Sequence, residues 1–319
     1  MPDIILHHYP LSPFSEKIRL AFGLKDMAYR SVTIPVWMPK PELLPLTGGY
    51  RRTPVLQVGA DIYCDTLLIL QVIERLQPAP SLFPGGTEGI ASALGWWMEK
   101  FTFMPSVCLT SSLIGEHFPA ELIEERKPFF GMDLSKQATL KDQALHRQRL
   151  HAHLHWLGQM LQDGRPFLLG QAAGAADLAA YHPIWFARKN GGAAADALLP
   201  LAPLLAWYDR VGAIGHGRPT ELSGADALAV ARAAEPASPG LDSDGSDPSG
   251  CRVGDRVTVT PDDTGRDPVA GVLVACSASE VVIGRNDADV GRVQLHFPRA
   301  GFEVVPAPQS DQRSSSVEG

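Results

Sequence analysis

The chain is poor in cysteine, with four in 319 residues: Cys64, Cys108, Cys251 and Cys276. No two of them stand at Cys-x-x-Cys spacing, which argues against a disulfide scaffold or a zinc site and fits a reducing compartment. Long apolar runs are missing too. No window of about 18 residues escapes a charge, a histidine or a proline, and even the alanine-rich stretches carry Asp177, His182, Asp196 and Pro200. The opening Met-Pro-Asp-Ile-Ile-Leu-His-His-Tyr lacks the basic head and long apolar run of a signal peptide. A cytoplasmic protein without a membrane contact is the expectation. An excess of positive charge is absent as well. The 28 Lys and Arg against 35 Asp and Glu leave a net charge of −7, which opposes unspecific attachment to nucleic acid or anionic lipid.

Hydrophobic residues make up 45% of the chain and charged residues 20%, the balance of a globular protein rather than a disordered or fibrous one. At roughly 150 residues per domain the length allows about two domains and a small third. Residues 1–78 alternate strand and helix signals. Ile4 to His8 is a short apolar run, broken by Pro10, Ser12 and Pro13 before a helix from Glu16 to Leu24. Arg30 to Pro35 reads as a second strand, and Lys40 to Leu46 as a short helix. Residues 53–58 and 62–64 flank a Gly-Ala-Asp turn as a hairpin, followed by an apolar helix from Thr66 to Leu76.

From about Glu88 to Ala234 the strand signals vanish and the spacing becomes helical. Trp97, Phe101, Met104 and Cys108 fall at i, i+4, i+7 and i+11, and Leu150, Leu154, Leu157 and Leu161 repeat that pattern. Residues 88–234 therefore read as an all-helical domain. Residues 235–250 hold three Pro, three Gly, four Ser and four acidic residues, too little apolar surface to offset the ordering entropy, and read as a flexible linker. Val257/Val259, Val272/Val274, Val281/Ile283 and Val293/Leu295/Phe297 then alternate with polar residues between turns. About five strands over 251–306 suggest a small barrel-like β module, with a disordered tail at 307–319.

The chemistry concentrates where the first strand meets the first helix. Ser12 suits the N-cap, Pro13 the first helical position and Glu16 the first turn, because unpaired amides and the positive dipole end need oxygen acceptors. A bound anion would be stabilised at the same point, and a plain cap is the alternative. A cis Pro54 after Thr53 would turn the Val55 backbone outward, so that it could pair with an extended peptide. Asp65-Thr66 stands at a helix N-terminus, where a carboxylate can hold an ammonium group while a hydroxyl and amides hold a carboxylate.

The ordered series Ser-Pro-Phe-Ser, Lys-Pro-Glu-Leu, Thr-Pro-Val-Leu-Gln and Asp-Thr resembles the thioredoxin-like N-terminal domain of cytosolic glutathione transferases. The helical part resembles the family's second domain, including Phe167-Leu168-Leu169-Gly170 and Ala175-Ala176-Asp177-Leu178. The resemblance covers about three quarters of the chain and none of the β module. It implies that Ser12 takes the place of the catalytic Ser or Cys whose side chain hydrogen-bonds the glutathione sulfur, with Tyr9 and Ser15 as rivals. A hydroxyl donor at a helix N-terminus favours thiolate over thiol. By the same resemblance Val55, with Thr53 and Pro54, would pair with the cysteinyl backbone. Asp65 and Thr66 would hold the γ-glutamyl end, and Lys40 and Arg52 could reach the glycine carboxylate. A homodimer is also implied.

Departures from the family pattern narrow the reading. Serine replaces both cysteines of the related Cys-Pro-x-Cys redox motif, so no dithiol reductase activity is expected. The common Glu-Ser pair is Asp-Thr, and Gly174 stands where the helical domain's cap is usually Ser or Thr. Trp97, Phe101 and Met104 are candidates for the electrophile pocket, with an ordinary core stripe as the alternative. Of His146, His151, His153 and His155 only His151 and His155 share a helix face, without an obvious carboxylate third ligand, so no metal is expected. The leading function is attack of glutathione thiolate on a small hydrophobic electrophile. A glutathione-dependent isomerase or peroxidase would share the same first site. A non-catalytic scaffold acting through its β module is the alternative from a different class.

Overall fold

A computed structural model describes residues 3–240 and 247–308. The tail from 309 onward and the centre of the expected linker, 241–246, lie outside them. Strand β1 (Ile4–His8) pairs in parallel with β2 (Ala28–Thr33) and antiparallel with β3 (Val55–Val58), which turns back as β4 (Asp61–Cys64). Helices α1 (Pro13–Leu24), α2 (Leu44–Thr47) and α3 (Thr66–Leu76) complete the thioredoxin-like unit. All five residues of β1 are buried, because the strand is covered on both faces; this is why it reads as a continuous apolar run rather than an alternation. Ile4 and Leu6 enter one core with α1, α3 and the helical domain. Ile5 enters a second core on the opposite face.

The helical domain comprises α4 (Glu88–Ile114), α5 (Ala120–Phe130), α6 (Lys136–Lys141), α7 (Gln143–Met160), α8 (Ala175–Leu198), α9 (Leu205–Gly212) and α10 (Gly224–Arg232). Its best-defined anchor is Asp177, 1% exposed. The carboxylate accepts from the Gly174 amide (3.0 Å), the Leu168 amide (2.9 Å) and Trp207 Nε1 (2.8 Å). Glycine at the cap position has a steric reason, since a Cβ at Gly174 would lie 2.8 Å from the Leu82 carbonyl oxygen. One strand, β5 (Arg218–Glu221), interrupts the helical stretch and pairs in parallel with β2. Its four residues are all exposed and include a proline and two charges, so no apolar alternation announces it.

The C-terminal strands are present: β6 (Arg256–Pro261), β7 (Val269–Cys276), β8 (Glu280–Asp287) and β9 (Gly291–Pro298) form an antiparallel meander, and β10 (Phe302–Pro306) returns to β6. They do not stand apart as a tethered module. β9 pairs in parallel with β4, placing Asp61, Ile62 and Tyr63 opposite Gln294, Leu295 and His296. One ten-stranded sheet results, in the order β10-β6-β7-β8-β9-β4-β3-β1-β2-β5. Beneath it the second core runs unbroken from Ile5, Val55 and Ile62 to Val257, Leu273 and Leu295. The described flanks of 235–250 are pinned as well. The Ala237 amide donates to Asp61 Oδ2 (2.9 Å), and Asp247 Oδ1 accepts from Arg299 Nη2 (3.1 Å).

The junction of β4 and β9 carries a buried charged group. His296 donates from Nδ1 to Glu280 Oε1 (2.7 Å) and from Nε2 to Asp61 Oδ1 (3.1 Å), with Arg75 3.3 Å from the second Glu280 oxygen. Burial works against the imidazolium, but the two carboxylates outweigh it and hold the His296 pKa above its usual value.

Candidate functional site

Thioredoxin-like unit, helical domain and C-terminal strands meet around a cleft of about 360 Å³. Ser12 sits in its wall, 2% exposed, as the N-cap of α1, and its Oγ accepts from the Ser15 amide at 3.2 Å. Cap and cleft position coincide, since the residue that caps the positive end of the helix also lines the cavity. Tyr9 lies beside it in the wall. Burial pushes the Tyr9 phenol up, opposed by the Arg126 charge and a hydrogen bond with Ser12. Ser15 is fully buried, its Oγ has no hydrogen-bond partner, and it does not line the cleft.

The other polar candidates divide. Thr53, Pro54, Arg52, Asp65 and Thr66 all line the cleft, and the Thr53–Pro54 bond is cis. Asp65 caps α3 through Oδ1, which accepts from the Leu67 amide at 2.9 Å, and burial raises its pKa against the Arg52 charge. Thr66 Oγ1 accepts from Lys17 Nζ (3.0 Å), which also pairs with Glu99 at 2.6 Å. Val55 differs from expectation. It is fully buried, sits in the ladder opposite His7 of β1 and Cys64 of β4, and does not line the cleft. With a strand on either side of it, an added strand has no room to pair there. Thr53, whose main chain precedes the ladder, is the residue the cleft presents instead.

Lys40 also departs from its expected part. Its ammonium group is turned inward, donating to Thr53 Oγ1 (3.0 Å) and the Arg51 carbonyl (3.1 Å), and the residue is 2% exposed. Burial lowers its pKa to about 8. It braces the Thr53 turn rather than lining the cleft.

On α4 the cleft-facing stripe is Trp96, Glu99, Lys100, Phe103 and Val107, with Met104 at its border. Trp97 and Phe101 lie about 100° further round the helix. They pack against His153 and, for Trp97, Trp156 of α7, with ring centroids 5.0 Å to 6.0 Å apart, and Phe101 is 56% exposed. Of the three expected pocket residues only Met104 lines the cleft. Phe14, Phe118, Phe129, Phe130 and Phe186 add to its apolar lining.

Several lining residues carried no motif in the sequence. Glu99 touches Lys17 and, at 3.3 Å, His182; burial works to raise its pKa, and Lys17 and His182 together overcome that and hold it at about 2. Glu99-Lys100 is a charged pair inside an otherwise apolar helix, which was its one sequence signal. Arg126 reaches across from α5 to donate to the Val36 carbonyl (2.6 Å). The C-terminal strands add Asp262, Asp263, Thr264, Gly301 and Phe302. Among the described residues no cluster of three His, Cys, Asp or Glu is placed to hold a metal ion, and no helix is long and apolar enough to cross a membrane.

A thioredoxin-like unit joined to a helical domain, with a capping serine facing the cleft between them, defines a transferase-type architecture. Residues 6–81 match the glutathione S-transferase N-terminal domain and residues 121–210 the C-terminal domain. The crystal structure of a GST-like protein from Pseudomonas syringae is 37% identical and covers 95% of this chain and 99% of its own, with a TM-score of 0.77. The chain belongs to the glutathione S-transferase family. Its likeness to the Pseudomonas protein extends into the C-terminal strands. FtsZ-localized protein A of Caulobacter vibrioides is 28% identical over 181 residues, 55% of this chain and 73% of that protein. Glutathione S-transferase U4 of Arabidopsis thaliana is 27% identical over 140 residues, 44% of this chain and 62% of its own length.

Proposed function

We propose that the protein binds glutathione in the polar half of the cleft and directs its thiolate at a hydrophobic electrophile in the apolar half. The observation that carries this is Ser12, a helix-capping hydroxyl in the cleft wall with Thr53 and Thr66 beside it and phenylalanines beyond. A thiol at Ser12 meets a hydroxyl donor and the positive end of α1, and both favour the charged sulfur. Thr53 pairs with the cysteinyl backbone, and Asp65 and Thr66 take the γ-glutamyl end. Arg52 takes the glycine carboxylate. The cleft volume suits one peptide thiol and a compact second substrate. Isomerase and peroxidase reactions would use the same thiolate and differ only in that second substrate. A homodimer, which the family resemblance implies, and a cytoplasmic location, which the cysteine usage and the opening residues suggest, are part of this proposal. Light scattering on the purified protein tests the dimer.

Titration calorimetry with glutathione is the deciding experiment. Binding at micromolar to submillimolar affinity, together with conjugation of an aromatic electrophile, supports the reading; affinity weaker than millimolar ends it. A second reading, a scaffold that keeps the fold and acts by protein contact, draws on the likeness to a protein named for its localisation with FtsZ. Glutathione binding without turnover across a panel of electrophiles favours the scaffold. Deleting residues 235–319 is not a clean discriminator, because it removes half of the second core along with five cleft residues.

A further inference from the structure

Nothing in the proposed reaction calls for the C-terminal strands, yet they form one wall of the cleft. Their contact with the polar half is specific. Arg52 Nη2 donates to Asp263 Oδ1 and to the Thr264 carbonyl, and Nη1 lies 4.0 Å from Asp65 Oδ2. The Phe302 ring lies under the guanidinium, its centroid 5.8 Å from the guanidinium carbon. Asp263 is itself held from the helical domain: Lys100 Nζ donates to its Oδ2 and to Asp262 Oδ1, each at 3.1 Å. The Thr264 amide donates to Asp263 Oδ1 (2.7 Å). Arg52, Asp263 and Lys100 thus link all three parts of the chain. The Arg52 Nε is buried and has no hydrogen-bond partner.

We propose that the turn between β6 and β7 is a built part of the ligand site, in which Asp263 positions the Arg52 guanidinium to meet a carboxylate of a peptide thiol. The inference rests on the glutathione reading and adds a task for the strands outside the two transferase domains. An arginine side chain that is already clamped loses little freedom when a ligand arrives, whereas a free one must be ordered at that moment. Gly301 sets the closeness of the wall. It has φ +83°, and a Cβ there would lie 2.6 Å from the Trp96 ring.

Asp263 is a positioning residue, and its test uses the full chain, glutathione, and glutathione with its glycine carboxylate blocked as an ethyl ester. In Asp263→Ala the glutathione Kd rises about tenfold, and the loss appears in KM rather than kcat. Asp263→Asn, which keeps an oxygen acceptor, recovers binding to within about threefold of the native protein. The native preference for glutathione over its ester, about tenfold, falls below about threefold in Asp263→Ala. Melting temperature reports on folding, and Lys100→Met, which frees Asp263 from the other side, shifts affinity in the same direction if the alanine variant does not fold. Unchanged or tighter binding in Asp263→Ala, or a retained preference for the free carboxylate, overturns the inference and leaves the glutathione reading standing. If the native protein binds no glutathione, both fall together.

Discussion

His296 of β9 lies 3.1 Å from the carboxylate of Asp61 on β4, two side chains joined 235 residues apart at the line where the transferase sheet passes into the C-terminal strands. A histidine whose pKa is raised on folding stabilises the protein fully below its unfolded value, near 6.5, and loses that contribution as pH rises through the folded value. His7 and His8 act with the opposite sign. Burial lowers both to about 4, so their contribution is complete above about 6.5 and is lost as pH falls toward 4. The melting temperature is therefore expected to peak near pH 6.5. His296→Gln should flatten the alkaline limb and leave the acid limb in place, as scanning calorimetry from pH 4 to 9 would show. An alkaline limb that stays equally steep in the variant would remove His296 from the account.

Ser12→Ala should lower kcat for conjugation about a hundredfold, the usual effect of losing one donor to a developing charge, while glutathione affinity changes by less than about threefold. The thiolate absorbance of bound glutathione should then appear only at higher pH. The lost cap costs about 1 kcal/mol, readable as a modest fall in melting temperature. If the variant turns over at the native rate, Ser12 is a cap alone and Tyr9 becomes the candidate.

Phe103→Ala and Phe101→Ala test which face of α4 meets the substrate. Phe103 lines the cleft and contacts Phe14, ring centroids 4.7 Å apart, so its loss should raise KM for an aromatic electrophile about tenfold. Phe101 is 56% exposed on the neighbouring face, and its loss should leave the kinetics alone. The reverse pattern in steady-state assays would place the pocket on the Trp97 side.

Asp177→Ala should destabilise the chain by about 3 to 5 kcal/mol, because two amides and the Trp207 indole N–H lose their only acceptor inside the core. Urea denaturation followed by tryptophan fluorescence measures it. Gly174→Ser, a return to the residue common at that cap, should also destabilise, by about 1 to 3 kcal/mol, since its side chain runs into Leu82.

Much of this was legible in the residues. The cap at Ser12, the hairpin ending at Cys64, the helix opening at Thr66 and the Asp177 anchor are local patterns, and each reappears in the structure within a few residues of its expected bounds. The C-terminal valines announced their strands by alternation. What stayed hidden is non-local. Nothing near Asp61 shows that Gln294 will lie opposite it, and a parallel pairing between distant edges leaves no turn signal. The stripe of Trp97, Phe101 and Met104 was a true apolar face, but spacing fixes only the angle between residues, and which neighbour fills that angle is decided by packing against α7. Val55 lies inside the ladder for the same kind of reason: its register with His7 and Cys64 is set by neighbouring strands that local spacing does not foretell.

The unbroken lower core has an implication for how such a chain tolerates damage. Ile5, Val55 and Ile62 share it with Leu43, Leu46 and Ala227 on one side and with the last strands on the other. Proteolytic clipping or a premature stop in the last strands would bare part of that oily plane, and the visible outcome would be clumping in the test tube rather than a shorter folded protein.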